Sequence, residues 1–278
     1  MKNITRFGVL FLFLLISMFY TDKSIDILKN SDPIMKQIKN TKEKYNISPI
    51  DAVIRGDEII SGNYGKEIDY DSSYNKMKRY GKYNEALTVL KETKPDTSID
   101  NNYDKYLVKG NSNKRNVALL FKLGNIENID ELVFLLEEKN IQSTFFIDGK
   151  LLEKELTSIK KLSNHEIEIL SYDNSYDSTL MKTSISYLEA ITNRVCNYCY
   201  TENSNDKLLK QCAKLRLHTI KPTIVVKEDI YLTVKKKIES GIVISIDDYE
   251  IGDLSYAIDY IKSKGYNLVT VADLFNEK

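Results

Sequence analysis

The pattern of apolar and polar segments changes near residue 112. Before that point, short apolar runs are separated by polar stretches, and "DAVIRGDEIISG" has the pattern of a hairpin around Gly56 and Asp57. After it, apolar runs such as "VALLF", "STFFID", "EIEIL" and "GIVISID" alternate with segments of helical period. This alternation predicts an α/β fold with a parallel sheet or barrel, whose chemistry is expected at the carboxyl ends of the strands.

The same pattern divides the chain into three parts. Residues 1–22 form an N-terminal targeting segment, 23–112 a small α+β segment, and 113–278 the region of alternating strands and helices. With 278 residues, of which 42% are hydrophobic, the chain is long enough to bury a substantial core. Lysine plus arginine and aspartate plus glutamate both number 40, so the overall charge does not favour nucleic acid as a partner.

The N-terminus has the features of an export signal. Lys2 and Arg6 precede an uninterrupted apolar run over residues 7–20, which is short for a membrane span. No pattern of small residues typical of a cleavage site follows in "SMFYTDK", so a cleaved signal peptide and an uncleaved membrane anchor both stay open. Either one predicts that the rest of the chain lies outside the cytoplasm.

The three cysteines favour a structural bond over redox chemistry. Cys196 and Cys199 have C-x-x-C spacing, but "VCNYCYTE" has the pattern of an extended segment rather than of the helix start of a thioredoxin-like site. A zinc site would need a second pair of ligands at suitable spacing. A disulfide suits an oxidising compartment, and among the three possible pairs we choose Cys199 with Cys212.

Several segments resemble, in order and spacing, the polysaccharide deacetylases of the NodB-homology type, which are carbohydrate esterases. They are "VALLFKLGN", "STFFIDG", "NHEIEILSYDN", "GIVISIDD" and "IKSKGYNLVTVADL", and together they cover about residues 114–277. The resemblance implies a distorted (β/α) barrel and the removal of acetyl groups from chitin-like or peptidoglycan glycans. With the N-terminal segment, it also implies a place in a Gram-positive cell envelope.

The resemblance also implies a metal-assisted mechanism, and this chain departs from it. In the family, one Asp and two His hold a divalent metal, a second Asp is the base and a further His is the acid. Here Lys122 stands at the position of the base and Leu123 at that of the metal-binding Asp, while Asp247 is retained. The three histidine positions hold Leu170, Asn174 and Ile246.

The histidine count agrees with this departure. The chain has only two histidines, His165 and His218, and no H-x-x-x-H spacing. A zinc-type site needs about three suitable ligands, which these positions do not supply. The ammonium of Lys122 would also repel a metal cation electrostatically.

Three functional hypotheses follow. The first is a catalytically inactive, deacetylase-like protein without a metal cofactor, which binds a peptidoglycan-like glycan or an envelope protein and reaches the membrane through its N-terminal segment. Its expected binding residues lie after the strands: Lys122, Tyr172, Asp173, Asn174, Tyr200 and Asp247.

The second hypothesis is an active hydrolase with rearranged site residues. It would use a divalent metal such as zinc, with Lys122 as a base of lowered pKa. Otherwise the metal ligands or the base would be carboxylates that follow the strands: Asp148, Asp173, Asp247 and Asp248. The third hypothesis is a purely structural interaction module.

Overall fold

The computed structural model describes residues 26–173 and 175–278. Its strands are β1 (Val53–Arg55), β2 (Glu58–Ile60), β3 (Gly65–Ile68), β4 (Leu90–Thr93), β5 (Tyr106–Lys109), β6 (Asn116–Leu123), β7 (Thr144–Ile147), β8 (Glu166–Ile169), β9 (Tyr198–Tyr200), β10 (His218–Ile220), β11 (Ile224–Val226), β12 (Val243–Ile246) and β13 (Asn267–Val269). Its α-helices include α1 (Pro33–Asn40), α2 (Lys42–Tyr45), α3 (Tyr70–Tyr80), α4 (Ile129–Glu138), α5 (Gly149–Lys154), α6 (Leu156–Ile159), α7 (Ser178–Thr192), α8 (Asp206–Lys214), α9 (Ile230–Lys237), α10 (Ile251–Ser263) and α11 (Val271–Phe275).

The predicted N-terminal signal or anchor lies outside the described residues. Within the residues that are described, no helix is long and apolar enough to cross a membrane.

The described chain forms two compact units. The smaller contains the described residues up to Pro49 together with Tyr64–Thr93, and the larger contains Ile50–Asn63 and Lys94–Lys278. The larger unit therefore includes β1, β2 and β5, which precede residue 112. These strands belong to it because β5 pairs with both β2 and β10, so they complete a sheet whose other members come much later in the chain.

The smaller unit combines helices with a two-stranded sheet. Helix α1 begins after Asp32, whose side chain accepts a hydrogen bond of 2.8 Å from the N–H of Ile34, and Pro33 occupies the first turn. Strands β3 and β4 are antiparallel. The apolar centre of this unit consists of three fully buried side chains: Ile38, Ile68 and Met77.

The larger unit contains a six-stranded sheet in the order β11-β12-β6-β7-β8, with β13 also pairing β6. All of these pairs are parallel. The prediction of an α/β fold with parallel strands is therefore confirmed. Because parallel strands end at the same edge of a sheet, the residues that follow β6, β7, β8 and β12 lie along one edge.

The side chains of β6 alternate between two apolar layers. One face packs in the large core that includes residues of α4 and α10, and it consists of Val117, Leu119, Phe121 and Leu123. The opposite face, with Ala118 and Leu120, packs in a second core shared with β2, β5 and β9. Lys122 continues this second face, because successive side chains of a strand point to opposite sides.

A five-stranded sheet in the order β1-β2-β5-β10-β9 borders this second core. Strands β1 and β2 form the predicted hairpin. The apolar segment "HTIKPTIVV" forms two strands rather than one, since β10 belongs to this sheet and β11 to the other. Pro222 lies between them and has no N–H to donate to a continuous ladder.

Side chains connect the two sheets of the larger unit. The Glu168 carboxylate, on β8, accepts hydrogen bonds from the backbone N–H groups of Asn197 and Tyr198, at 3.1 and 3.2 Å. The hydroxyl oxygens of Tyr200 and Ser245 lie 2.8 Å apart and join β9 to β12. Among the described strands no ladder pairs β8 with β9, so the expected distorted barrel consists of two sheets. Polar side chains join them at this side, and an isolated backbone bridge between Lys109 and Ile242 joins them near the starts of β6 and β12.

Candidate functional site

Three charged side chains meet at the carboxyl ends of the strands. The Lys122 Nζ, at the end of β6, lies 2.6 Å from Oε1 of Glu202 and 2.7 Å from Oδ2 of Asp247. Glu202 follows β9 and Asp247 follows β12, so the three side chains join the edges of both sheets. We call this group the lysine triad.

The lysine triad keeps its ammonium charged. Burial lowers the pKa of the Lys122 ammonium, but hydrogen bonds to Asp247 and Glu202 raise it by more, so the pKa lies above the ordinary value of 10.5. One form of the hydrolase hypothesis took Lys122 as a base of lowered pKa, and the raised pKa contradicts that form. The reason is that two carboxylates stabilise the protonated form more than partial burial disfavours it.

A cavity of about 520 Å³ opens beside the lysine triad. Two tyrosines, Tyr176 and Tyr200, line it together with hydroxyl and amide side chains from two segments. The Nζ of Lys122 lies 5.4 Å from the centroid of the Tyr200 ring. We call this space the tyrosine cavity; its other lining residues are Leu170, Ser171, Thr201, Glu202, Asn203, Ser204 and Asn205.

A second cavity, of about 620 Å³, shares Glu202 with the first. Most of its charged lining residues are carboxylates, and Lys227 is the basic residue among them. We call it the acidic cavity; its carboxylate residues are Glu202, Glu228, Asp229, Asp247, Asp248, Glu250 and Asp253. The lysine triad thus lies where a neutral polar cavity and a negatively charged one meet.

The expected binding residues divide into two groups. Lys122, Tyr200 and Asp247 come together at these cavities. Tyr172 and Asp173 are not among the residues that line either cavity. The Tyr172 hydroxyl lies 3.2 Å from a Glu153 carboxylate oxygen, and Asp173 forms an ion pair of 2.8 Å with Lys150.

Asn174, the remaining expected binding residue, lies outside the described residues. Glu202 and Tyr176 line the tyrosine cavity but were missed by the sequence reasoning. A signal for Glu202 exists, because it is an acidic residue directly after the strand segment "NYCYT".

The carboxylates proposed for a rearranged hydrolase site are also separated. Asp148 begins α5 and accepts hydrogen bonds from the N–H of Lys150 and the N–H of Asp173, each at 3.0 Å. Its other oxygen lies 2.6 Å from the hydroxyl of Ser171. These bonds give Asp148 a structural role at the turn, whereas Asp247 and Asp248 line the acidic cavity.

The residues at the positions implied for a divalent metal do not fit one. Leu123 is buried in the large core that includes residues of α4 and α10, and Leu170 is partly buried against the second core, which is shared with β2, β5 and β9. The ammonium of Lys122 brings a positive charge to the same strand end. Within residues 26–173 and 175–278, no group of three or more His, Cys, Asp or Glu is arranged to hold a metal ion.

The two histidines lie elsewhere. His165 is buried and its Nδ1 accepts a hydrogen bond of 3.3 Å from the N–H of Ser143. His218 stacks on Tyr103, with 4.2 Å between ring centroids. Neither histidine lines the tyrosine cavity or the acidic cavity.

A disulfide joins Cys199 on β9 to Cys212 on α8. Cys196 is a free, buried thiol, and burial raises its pKa strongly. The disulfide spans the segment of residues 201–205, which lines the tyrosine cavity. Because Cys199 is bonded to Cys212, Cys196 and Cys199 do not form the disulfide of a C-x-x-C redox pair in this structure.

No protein-family model matches the chain. The uncharacterized protein YlxY of Bacillus subtilis (strain 168) is 25% identical in an alignment of 280 positions that covers 91% of this chain and 87% of that protein. BA3943 from Bacillus anthracis, described as a CE4 family pseudoenzyme, has a TM-score of 0.67 at 21% identity, covering 89% of this chain and 96% of its own. PdaA of Bacillus subtilis, a family 4 carbohydrate esterase, has a TM-score of 0.53 at 19% identity, covering 63% of this chain and 86% of its own.

Both solved structures belong by description to the same esterase family, and one of them is described as a pseudoenzyme. The resemblance predicted from the ordered sequence motifs is therefore confirmed at the level of the fold: this chain has the fold of the family 4 carbohydrate esterases, the polysaccharide deacetylases.

Proposed function

We propose that this protein is a non-catalytic member of the deacetylase fold that binds cell-wall glycan. The observation that carries the proposal is the composition of the tyrosine cavity. It combines the partly exposed ring of Tyr176 with hydroxyl and amide groups over the buried Tyr200, while an ammonium and a leucine occupy positions implied for the base and a metal ligand. An aromatic face and neutral hydrogen-bonding groups suit a sugar ring. Metal-assisted hydrolysis needs a metal site, and the described residues contain no group of three or more His, Cys, Asp or Glu arranged to form one.

The proposal extends to location and partners. The basic residues and apolar run at the N-terminus favour export and contact with the membrane, and the glycan class is peptidoglycan-like. A solved structure with the same fold is described as a peptidoglycan N-acetylglucosamine deacetylase, which supports this choice of glycan. An envelope protein is the alternative partner.

Binding and turnover test the proposal together. We expect the full chain to be retained on purified peptidoglycan and to bind chitotetraose in calorimetry, without deacetylating either when zinc or cobalt is added. Tyr176, which is 36% exposed at the tyrosine cavity, provides the test variant, and Tyr256, which is 66% exposed on α10, provides a matched control. Tyr176→Ala should weaken binding at least about fivefold, since stacking on an aromatic ring contributes roughly 1 kcal/mol, and Tyr256→Ala should not.

Two results would contradict the proposal. Metal-dependent turnover that disappears in Lys122→Ala would establish the hydrolase instead. Equal retention of the Tyr176→Ala and wild-type proteins, or no retention of either, would show that the tyrosine cavity is not a glycan site and would favour the envelope protein as partner.

A further inference from the structure

The carboxylates of the lysine triad are not the residues implied for a metal. The resemblance puts the metal ligands at Leu123, Leu170 and Asn174, whereas Glu202 and Asp247 come from the ends of β9 and β12. Their side chains are 30% and 42% exposed, and both approach one ammonium within 2.7 Å. Two carboxylates from different sheets therefore already hold a cation, and the chain itself supplies that cation.

We infer that Lys122 is a positioning residue that fills a latent cation site formed by Glu202 and Asp247, and that it thereby fixes the cavity-lining segment 201–205. Without the ammonium, two carboxylates would face each other across the junction of the sheets. Their repulsion would move Glu202, because its segment is held to the six-stranded sheet by this ion pair and by the contact between Tyr200 and Ser245.

The neighbouring contacts support this role. Residues 201–205 lie between the end of β9 and the start of α8, and all five line the tyrosine cavity. The Thr201 hydroxyl and the Asn205 side chain bond within the segment and to α8, not to the six-stranded sheet. The ends of the segment are anchored to the five-stranded sheet, because the N–H of Thr201 donates to the carbonyl of Ile220 at 2.9 Å and the N–H of Asn205 donates to the hydroxyl of Tyr106 at 2.6 Å. Lys122 is therefore the contact through which β6 holds the middle of the segment, at Glu202.

A small cation should restore what removal of the lysine side chain takes away. Lys122→Ala deletes the side chain beyond Cβ, and n-propylammonium matches the deleted atoms. We expect 100 mM n-propylammonium chloride to raise the unfolding temperature of the Lys122→Ala protein by about 2 to 4 °C, as for a ligand that binds only the folded state. The wild-type protein should change no more than it does in 100 mM sodium chloride.

Three controls isolate the cation. In Lys122→Ala, 1-propanol fills the same volume without a charge, so rescue by 1-propanol would show that Lys122 acts only through its apolar stem. Lys150→Ala removes another lysine with a carboxylate partner, at 2.8 Å from Asp173, and should not respond. The double variant Lys122→Ala with Glu202→Gln should also lose the response, because one of the two carboxylates is neutralised.

Hydrogen exchange supplies a local readout. Amides of residues 201–205 should exchange faster in Lys122→Ala and slow again with n-propylammonium, while amides of β7 stay unchanged. If Lys122→Ala does not fold alone, n-propylammonium should restore the native circular dichroism spectrum during refolding, and failure to do so would overturn the inference. Equal responses of the wild-type and Lys122→Ala proteins would overturn it too, and because no sugar is present, these outcomes are independent of glycan binding.

Discussion

The larger unit holds carboxylates in two environments, and they are stabilised differently. At the strand ends, Glu202 and Asp247 are partly exposed and share the ammonium of Lys122. Inside the sheets, Glu168 is 1% exposed and accepts hydrogen bonds from backbone N–H groups. Burial, and then the neighbouring Glu166 carboxylate, raise the pKa of Glu168 well above the ordinary value of 4.5.

The difference shows how access to solvent determines whether a carboxyl group is ionised or protonated. Near water, a carboxylate can stay ionised with a cation beside it, whereas in the interior a proton neutralises it at lower cost. The interior carboxyl then serves as a structural link between β8 and β9. Four predictions test this contrast, beginning with the largest effect.

Glu168→Ala should have the largest effect on stability. The variant leaves a cavity and deprives the N–H groups of Asn197 and Tyr198 of their acceptor, which should lower the free energy of unfolding by roughly 2 to 4 kcal/mol. Urea unfolding followed by circular dichroism measures this loss. A loss below that of the exposed control Glu138→Ala would mean that Glu168 does not link the sheets.

Glu168→Gln should change the pH dependence of stability. Above pH 4.5 the unfolded chain releases this proton while the folded protein retains it, so the wild-type free energy of unfolding falls as pH rises towards the raised pKa. The contribution of Glu168 to this slope is at most about 1.4 kcal/mol per pH unit, and it disappears in Glu168→Gln. Urea unfolding from pH 5 to pH 8 compares the two proteins, and parallel curves would show that Glu168 is ionised in the folded state.

Lys122→Met should have a smaller effect. It preserves most of the apolar stem but leaves Glu202 and Asp247 without their cation, and we expect a loss of about 1 kcal/mol because both carboxylates are partly exposed. The difference from the wild type should shrink in 1 M sodium chloride, which screens partly exposed charges. A difference that is independent of salt would mean that Lys122 stabilises the protein through packing.

Lys150→Ala should have the smallest effect. Its ion pair with Asp173 has side chains that are 42% and 57% exposed, so we expect a change below about 0.5 kcal/mol in the free energy of unfolding. The same urea titration measures it. A loss as large as that of Lys122→Met would remove the distinction between the lysine triad and an ordinary surface pair.

Local sequence patterns were sufficient for the central strands. The apolar runs that predict β6, β7 and β12 are bounded by polar residues and are fully buried in the parallel sheet, so the pattern and the packing agree. The contact between Lys122 and Glu202 was not predictable in the same way. Glu202 directly follows a strand segment, but it lies 80 residues further along the chain, and only the packing of the two sheets brings it to Lys122.

The site residues show the same limit. The resemblance placed Lys122 and Leu123 at consecutive positions of one motif, although the strand directs them to opposite faces, so that Leu123 packs with the outer helices. Tyr172 and Asp173 were expected beside Lys122 because they follow β8, but the turn after that strand directs them towards Glu153 and Lys150. Side-chain direction in a turn depends on backbone geometry that sequence spacing does not specify.

The disulfide between Cys199 and Cys212 makes the cavity-lining segment part of a covalently closed ring. A protease that cuts between residues 201 and 205 would produce two fragments that migrate as one molecule until a reductant is added. A single cut in this segment would therefore break the backbone without separating the two parts of the chain.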